Sequence, residues 1–191
     1  TKNDLYIEGV MSSLKNSTVM DARLPRYQVK VTKDDLVFSA AHFITFNENE
    51  CERLHGHNYR TEVAIEGPFD ENSYVVDFIL LRETLREITG ILDHHVLLPL
   101  RSKRIQVTEK GKEVVAQFQD RRWVFPEEDC VLLPVANTTA ELLAEWIGLR
   151  LKQVLDEQKR FYPSMLRVEV DECYGQRGIC EWSDKEVHCG T

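Results

Sequence analysis

The sequence predicts an α+β fold, in which paired strands and two amphipathic helices share one chain of 191 residues. Three observations indicate this class. Two segments near the start alternate apolar and polar residues, as half-buried strands do, and a segment near the end alternates in the same way. Two segments between them carry apolar residues at helical spacing. Because the strands follow one another as hairpins rather than alternating regularly with helices, a doubly wound fold is disfavoured.

The first strands predicted are Arg26 to Val31 and Leu36 to Phe43, separated by a turn at residues 33–35. We interpret them as a hairpin. A third strand, Asn58 to Glu66, is rich in β-branched and aromatic residues and ends at the turn GPFDEN. Residues 1–26 are polar and lack a clear period, so we interpret them as an N-terminal extension.

Each helix has signals at its ends or along one face. Asp77 is a suitable N-cap for the first helix and Gly90 a suitable terminator. Its predicted apolar stripe comprises Phe78, Leu81, Leu85 and Ile88. Thr138 is predicted to open the second helix, because it forms a capping-box pattern with Glu141. The apolar positions that follow at four-residue spacing are Leu143, Ile147, Leu151 and Leu155.

The remaining segments complete a main domain over residues 27–191. Residues 101–130 are predicted to be an insertion that forms a β-hairpin or two short strands, with Gly-Lys at one turn. We interpret this insertion as surface decoration or an oligomer contact. Met165 to Glu172 alternates as a strand, and Gly175 to Trp182 indicates a turn and a final short strand.

Composition excludes several classes of protein. The formal net charge of −8 argues against a general nucleic-acid binder and against a basic protein of membrane surfaces. No apolar run approaches the ~20 residues of a membrane span, and the start lacks the pattern of a secretory signal. Five cysteines at irregular spacing favour reduced thiols over a disulfide framework. We therefore expect a cytoplasmic protein.

The stretch from Phe38 to Tyr59 is typical of a metal site with a thiol beside it. It contains His42, His55, His57 and Cys51. Residues i and i+2 of a strand point to one face, so the last two histidines form a pair, and a neighbouring strand can add the first. Three protein ligands with one open position are typical of catalytic zinc, although copper, iron and nickel also accept imidazole.

A cupin-type metal dioxygenase is the first alternative. One residue separates His55 from His57, and four residues separate His57 from Glu62, in the arrangement that begins a cupin motif. The glycines that this motif requires are absent, because Asn49 and Phe69 occupy their positions. No second cupin motif follows, so this alternative is disfavoured.

Five separated motifs give a more specific assignment: FSAAH, CERLHGHNY, LDHH, NTTAELLAEWI and VEVDE. In these motifs the chain resembles the 6-pyruvoyl-tetrahydropterin synthase and 6-carboxytetrahydropterin synthase family, from about Tyr27 to Trp182 apart from the insertion. The resemblance implies the tunnelling fold, with an antiparallel four-stranded sheet and two helices on one face. It also implies a homo-oligomer, in which trimers close the sheets into a barrel, stack as hexamers and form active sites between subunits.

The resemblance further implies a pterin triphosphate substrate, 7,8-dihydroneopterin triphosphate, and a role for each matching residue. These roles are Zn²⁺ ligands for His42, His55 and His57; catalytic groups for Cys51, Asp93 and His94; a pterin anchor for Glu172; and a pterin-pocket segment for Thr138 and Thr139.

Spacing within the family indicates the reaction. Three residues separate Cys51 from His55, which is similar to the bacterial 6-carboxytetrahydropterin synthases of the queuosine pathway. The animal tetrahydrobiopterin enzymes have a longer gap, and a folate-linked branch has glutamate in place of the cysteine. We therefore expect 6-carboxytetrahydropterin, acetaldehyde and triphosphate as products. The alternatives are a 6-pyruvoyl product, or a non-catalytic pterin- or zinc-binding oligomer, which the intact catalytic set argues against.

Overall fold

A computed structural model describes residues 25–47, 49–157 and 163–183. Residues 1–24 of the predicted extension lie outside this range. The strands are β1 Gln28–Val31, β2 Val37–His42, β3 Thr45–Phe46, β4 Glu50–Cys51, β5 His55–Glu66, β6 His95–Pro99, β7 Gln106–Lys110, β8 Glu113–Phe118, β9 Arg121–Pro126, β10 Cys130–Leu133, β11 Met165–Cys173 and β12 Gln176–Ser183. The helices are α1 Phe78–Gly90 and α2 Ala140–Glu157, with a 3₁₀ turn at Glu127–Asp129.

The main sheet has seven strands in the order β10-β6-β2-β5-β11-β12, and β1 also pairs with β5. Its centre is the expected antiparallel set β2, β5, β11 and β12. The sheet is nevertheless larger and more mixed than the sequence predicted, because β6 runs parallel to both β2 and β10. The predicted mixed α+β class is confirmed, with two helices against a sheet.

The predicted hairpin between the first two strands is wrong. Both β1 and β2 pair with the same edge of β5, in the registers Val31↔Val63 and Val37↔Arg60. The chain advances six residues from Val31 to Val37, whereas the paired positions on β5 are only three residues apart, at Val63 and Arg60. The segment between β1 and β2 therefore bulges out, and the two strands form one long strand with an interruption. Asp35 in this bulge forms an ion pair with Arg82 of α1. This contact explains why turn-forming residues occur where no hairpin forms.

Helix α1 begins as predicted. The Asp77 carboxylate accepts a hydrogen bond of 2.7 Å from the backbone N–H of Ile79. Three of the four predicted stripe residues are buried, but Phe78, in the first turn, is 58% exposed. On α2 all four predicted apolar positions are buried. Neither helix, among the residues described, combines the length and apolarity needed to cross a membrane.

The helices share one core with the sheet. Leu85 of α1 and Ile147 of α2 are both fully buried, together with Val63 of β5 and Val168 of β11. Gly148 allows a close approach, because a Cβ there would lie 2.4 Å from the Trp182 ring. This packing orients the sheet so that β2 and β5 carry their inward side chains toward the start of α2.

The predicted cap of α2 is displaced by one residue. Thr139 caps the helix, since its carbonyl accepts from Leu143 N–H at 2.9 Å and its hydroxyl oxygen lies 3.5 Å from Leu142 N. Thr138 is fully buried instead, and its hydroxyl lies 3.4 Å from the Phe43 carbonyl. The local pattern suited either threonine, and long-range contacts of Thr138 decide between them.

The insertion is a three-stranded antiparallel sheet, β7-β8-β9, and not only a hairpin. Gly111 has a positive φ of 65° at the predicted Gly-Lys turn. The inserted sheet builds a second buried cluster with the main sheet, whose fully buried members are Phe43, Leu98, Ile105, Val114, Ala116 and Phe118. Cys51 is packed against this cluster, so the insertion contributes to the core beside the candidate site.

Candidate active site

Strands β2 and β5 bring the three predicted histidines together. His42 lies directly opposite His55 in the strand register, and His57 follows on the same face of β5. One ligand atom from each ring lies within 4.8 Å of the others. Gly56 permits this approach, because a Cβ there would lie 3.2 Å from the Ala40 carbonyl oxygen. The predicted convergence of the imidazoles is confirmed, and the cluster can hold a metal ion.

Backbone carbonyls orient two of the rings. His42 Nδ1 lies 2.8 Å from the Thr138 carbonyl oxygen, and His55 Nδ1 lies 2.8 Å from the Arg53 carbonyl oxygen. Because a carbonyl only accepts, each Nδ1 carries the proton, and each neutral ring keeps its lone pair on Nε2. Carbonyls that fix the tautomer in this way are typical of metal-binding histidines.

The free nitrogens fit a cation. His42 Nε2 and His57 Nε2 are buried and have no hydrogen-bond partner among the described residues. The Glu172 carboxylate lies near both atoms but receives no proton from a neutral ring whose Nε2 carries a lone pair. Buried polar atoms are rarely left unpaired, so this arrangement fits a cation. Burial also lowers the pKa of His57, which favours the neutral form that a metal requires.

Glu172 reaches this cluster from β11. Its Oε1 lies 3.1 Å from His42 Nε2 and 3.6 Å from His57 Nε2, and it lies 3.4 Å from the hydroxyl of Tyr59. A hydrogen bond donated by a protonated His42 Nε2 lowers the pKa of the Glu172 carboxyl, although burial opposes the effect. Tyr59 was missed by the sequence reasoning. It stands two positions after His57 on the same face, so strand alternation was the signal that could have identified it.

Cys51 lies on the small hairpin β3–β4, where it is half-buried. The next residue, Glu52, brings its Oε2 within 3.9 Å of His55 Nε2. Burial raises the pKa of the Cys51 thiol, and the positive charge of Arg121 partly opposes this effect. Glu52 and Arg121 were also missed. The motif CERLHGH contains Glu52, but no local signal identifies Arg121.

Asp93 and His94 form a separate pair. His94 Nδ1 lies 2.8 Å from Asp93 Oδ2, and the Ser39 N–H donates to Asp93 Oδ1 at 2.8 Å. This N–H and the histidine lower the pKa of the Asp93 carboxyl. The His94 side chain is 80% exposed, and its φ of 60° is uncommon for a residue other than glycine.

Most of the strand residues around His94 lie on the face of the sheet opposite the imidazole rings. His94 lines an open cleft of about 560 Å³ together with His57 and with four other residues of β2 and β5, which are Ser39, Ala41, Gly56 and Asn58. Those four residues alternate along β2 and β5 with the residues that carry the imidazole cluster. They therefore lie on the opposite face of the sheet.

Comparison with known proteins identifies relatives of this chain. The sequence profile of the family described as 6-pyruvoyl tetrahydropterin synthase matches residues 30–181. A 6-carboxy-5,6,7,8-tetrahydropterin synthase of Rickettsia felis is 36% identical over 144 residues, which cover 72% of this chain and 91% of the relative. A Methanocaldococcus jannaschii protein provisionally assigned the same activity is 30% identical over 146 residues, which cover 76% of this chain and 88% of the relative.

Similarity extends to solved structures. The crystal structure of 6-pyruvoyl tetrahydropterin synthase from Plasmodium vivax superposes with a TM-score of 0.77 at 28% sequence identity. The match covers 84% of this chain and 99% of the Plasmodium chain. The fold and the sequence profile therefore lead to the same group of proteins.

Proposed function

The chain belongs to the 6-pyruvoyl tetrahydropterin synthase family, and we propose that it is a zinc-dependent 6-carboxy-5,6,7,8-tetrahydropterin synthase. Membership and the named relatives identify a lyase of this kind. The observation that carries the proposal is the cluster of three imidazoles, in which the buried Nε2 atoms of His42 and His57 have no hydrogen-bond partner among the described residues. The relatives' names and the Cys-x₃-His-Gly-His spacing support the 6-carboxy product and a place in queuosine synthesis.

His42, His55 and His57 would hold the ion. The donor set of neutral imidazoles suits Zn²⁺, and three protein ligands leave a position for substrate. When bound, zinc would supply Lewis acidity toward the hydroxyl oxygens of the pterin side chain. The Thr138 and Arg53 carbonyls keep the ligand nitrogens directed at this position.

Cys51 would act as the base that removes a proton from a side-chain carbon of 7,8-dihydroneopterin triphosphate. Only its thiolate can do so, and burial opposes thiolate formation. A nearby cation would reverse that effect, which links base strength to metal loading. His94, oriented by the Asp93 carboxylate, would return a proton elsewhere on the substrate. Positioned groups of this kind contribute roughly 10²–10⁴-fold each to the rate.

Glu172 would anchor the pterin ring. The amino group and adjacent ring N–H of a pterin form a two-donor edge that one carboxylate can accept in a bidentate pair. In the substrate-free arrangement Oε1 faces His42 Nε2, so substrate binding would turn the carboxylate away from the cluster. We assign Thr138 and Thr139 to the same pocket. Thr138 also orients His42 through its carbonyl.

The two halves of the machinery would meet between subunits. The cleft that His94 lines is formed mainly by residues on the sheet face opposite the imidazoles, which supports a site completed by a neighbouring protomer. We therefore propose a homo-oligomer, a trimer or a dimer of trimers, in which His94 of one subunit serves Cys51 of another.

Product analysis tests the reaction. The zinc-loaded protein is expected to convert 7,8-dihydroneopterin triphosphate and water to 6-carboxytetrahydropterin, acetaldehyde and triphosphate. Cys51→Ala is the matched control, and it should lose turnover while keeping its zinc. Triphosphate release with a 6-pyruvoyl product and no acetaldehyde would instead favour the activity for which the Plasmodium structure is named. Tight pterin binding without turnover would favour a non-catalytic oligomer.

A further inference from the structure

The inserted sheet contacts the segment that carries Cys51. Arg121, the first residue of β9, donates from Nη1 to the Cys51 carbonyl at 2.7 Å and from Nη2 to the Glu52 carbonyl at 2.8 Å. Arg121 follows Cys51 by 70 residues and Glu52 by 69 residues in the sequence. One planar guanidinium therefore holds two consecutive peptide groups, a geometry that lysine cannot reproduce.

Aromatic packing fixes the guanidinium itself. Its Cζ lies 4.6 Å from the centroid of the Trp123 ring. Trp123 in turn stacks on Phe43, with ring centroids 4.4 Å apart and an interplanar angle of 21°. Phe43 directly follows His42, the last residue of β2, so this stack links the insertion to the strand that carries a candidate metal ligand.

Arg121 has no acidic partner that would explain it as a structural ion pair. Across the part of the chain that the structure describes, no carboxylate oxygen lies within 4.0 Å of its guanidinium nitrogens. Its hydrogen bonds to residues outside the insertion are made to the carbonyls of Cys51 and Glu52. Arg122, its neighbour on β9, is exposed and makes no such contact.

We propose that Arg121 is a positioning residue, through which the insertion holds the Cys51–Glu52 segment at the edge of the histidine cluster. The inference rests on the proposed function, because it assigns Cys51 to the reaction. The same contact places Glu52, whose Oε2 also lies 3.3 Å from the Ile44 N–H, against His55. The insertion is thus part of the catalytic apparatus rather than decoration.

The test compares Arg121→Ala with Arg122→Ala in the full-length, zinc-loaded protein. Misplacement by about 1 Å can cost roughly 100-fold in rate, so kcat of Arg121→Ala should fall by about that factor while KM for 7,8-dihydroneopterin triphosphate changes little. Zinc content should stay at the wild-type level. Arg121→Lys should remain strongly impaired, and guanidinium chloride at low concentration should restore part of the activity of Arg121→Ala but not of Arg121→Lys.

A second measurement does not depend on turnover. Amide hydrogen exchange of the peptide covering residues 44–54 should accelerate in Arg121→Ala and stay at the wild-type rate in Arg122→Ala. Unchanged exchange, or faster exchange with unchanged kcat, would overturn the proposal. If the wild-type protein fails to turn over the substrate, the proposed function fails, whereas the exchange measurement still decides whether Arg121 holds this segment.

Discussion

His42 Nε2 and Glu172 Oε1 face each other across 3.1 Å in the candidate site. The Thr138 carbonyl holds the ring proton on Nδ1, so in the neutral ring a lone pair is directed at the carboxylate. Two electron-rich atoms at this distance repel each other unless a positive charge lies between them. A proton on Nε2 or a bound metal ion removes the repulsion, and the pairing therefore couples the carboxylate to the state of the metal site.

Replacing Glu172 should weaken metal binding as well as pterin binding. In Glu172→Gln the negative charge beside the cluster is lost, so zinc affinity is expected to fall. We expect a decrease of roughly 10-fold, the smaller end of the effects seen when a group that contacts a metal ligand is replaced. Competition with a chromophoric chelator measures the change. Glu181→Gln is the control, because Glu181 is largely exposed and pairs with Arg167 away from the cluster. Equal zinc affinity in wild type and Glu172→Gln would contradict the expectation.

Alanine variants of His42 and His55 should both lose zinc, but they should differ in the stability of the metal-free protein. Either change to alanine removes one of three ligands, so both variants should lose zinc, as measured by elemental analysis. His42 is buried and its loss strands the Thr138 carbonyl, so His42→Ala should destabilise the metal-free protein by about 1–3 kcal/mol. His55 is partly exposed, and His55→Ala should stay within about 0.5 kcal/mol. Denaturant unfolding with a chelator present compares them, and equal destabilisation would contradict this.

The histidine cluster could be predicted because it depends on local rules. Residues 55 and 57 share a face in any strand, and a neighbouring strand supplies the third ring whatever the overall topology. The bounds of α1 were equally local, since Asp77 caps through its own side chain. By contrast, the supposed hairpin of β1 and β2 failed because both strands prefer the long edge of β5, which no local turn signal reveals.

Long-range contacts account for the other differences. Thr138 and Thr139 have the same side chain, and the choice of cap was decided by the burial of Thr138 against strand β2. Arg121 reaches its partners from an insertion about 70 residues away, so neither spacing nor periodicity could link it to Cys51. The site predicted from the sequence therefore lacked the residues that support the cluster from outside the family motifs.

Metal loading should activate Cys51. Burial holds the pKa of its thiol above the ordinary value, so in metal-free protein less than half of it is thiolate at pH ~8.5. Its alkylation rate by iodoacetamide should therefore keep rising above that pH. Zinc in the histidine cluster favours the anion, and the pH profile should move toward lower pH. Mass spectrometry of the peptide containing Cys51 measures the rate, with Cys130 as an internal control because burial also raises its pKa, to about 11. A profile unmoved by zinc would place the thiol outside the field of the metal.

Gly148 should not tolerate a methyl group although it lies in a helix. Alanine normally improves a helix, but a Cβ here would meet the Trp182 ring at 2.4 Å. Overpacking of this kind costs about 1–3 kcal/mol, so Gly148→Ala should lower the free energy of unfolding by that amount. Gly90→Ala is the matched control, since a Cβ there meets nothing within 4 Å. It should be neutral or stabilising by up to ~1 kcal/mol. Equal stability of the two variants in urea would show that the Trp182 side chain moves to accommodate the methyl group.

Mixed oligomers should recover the activity that two inactive variants lack. Within a protomer the cleft beside His94 is formed mainly by residues on the sheet face opposite the imidazoles, so the proposed site takes Cys51 from one subunit and His94 from its neighbour. Cys51→Ala and His94→Ala should each be inactive alone. When equal amounts are unfolded, mixed and refolded with zinc, about a quarter of the sites should combine both intact groups by random assembly, and activity should recover to about that fraction. Refolded samples of each variant alone are the controls. If both groups came from one subunit, every site in the mixture would lack one of them, and no activity would return.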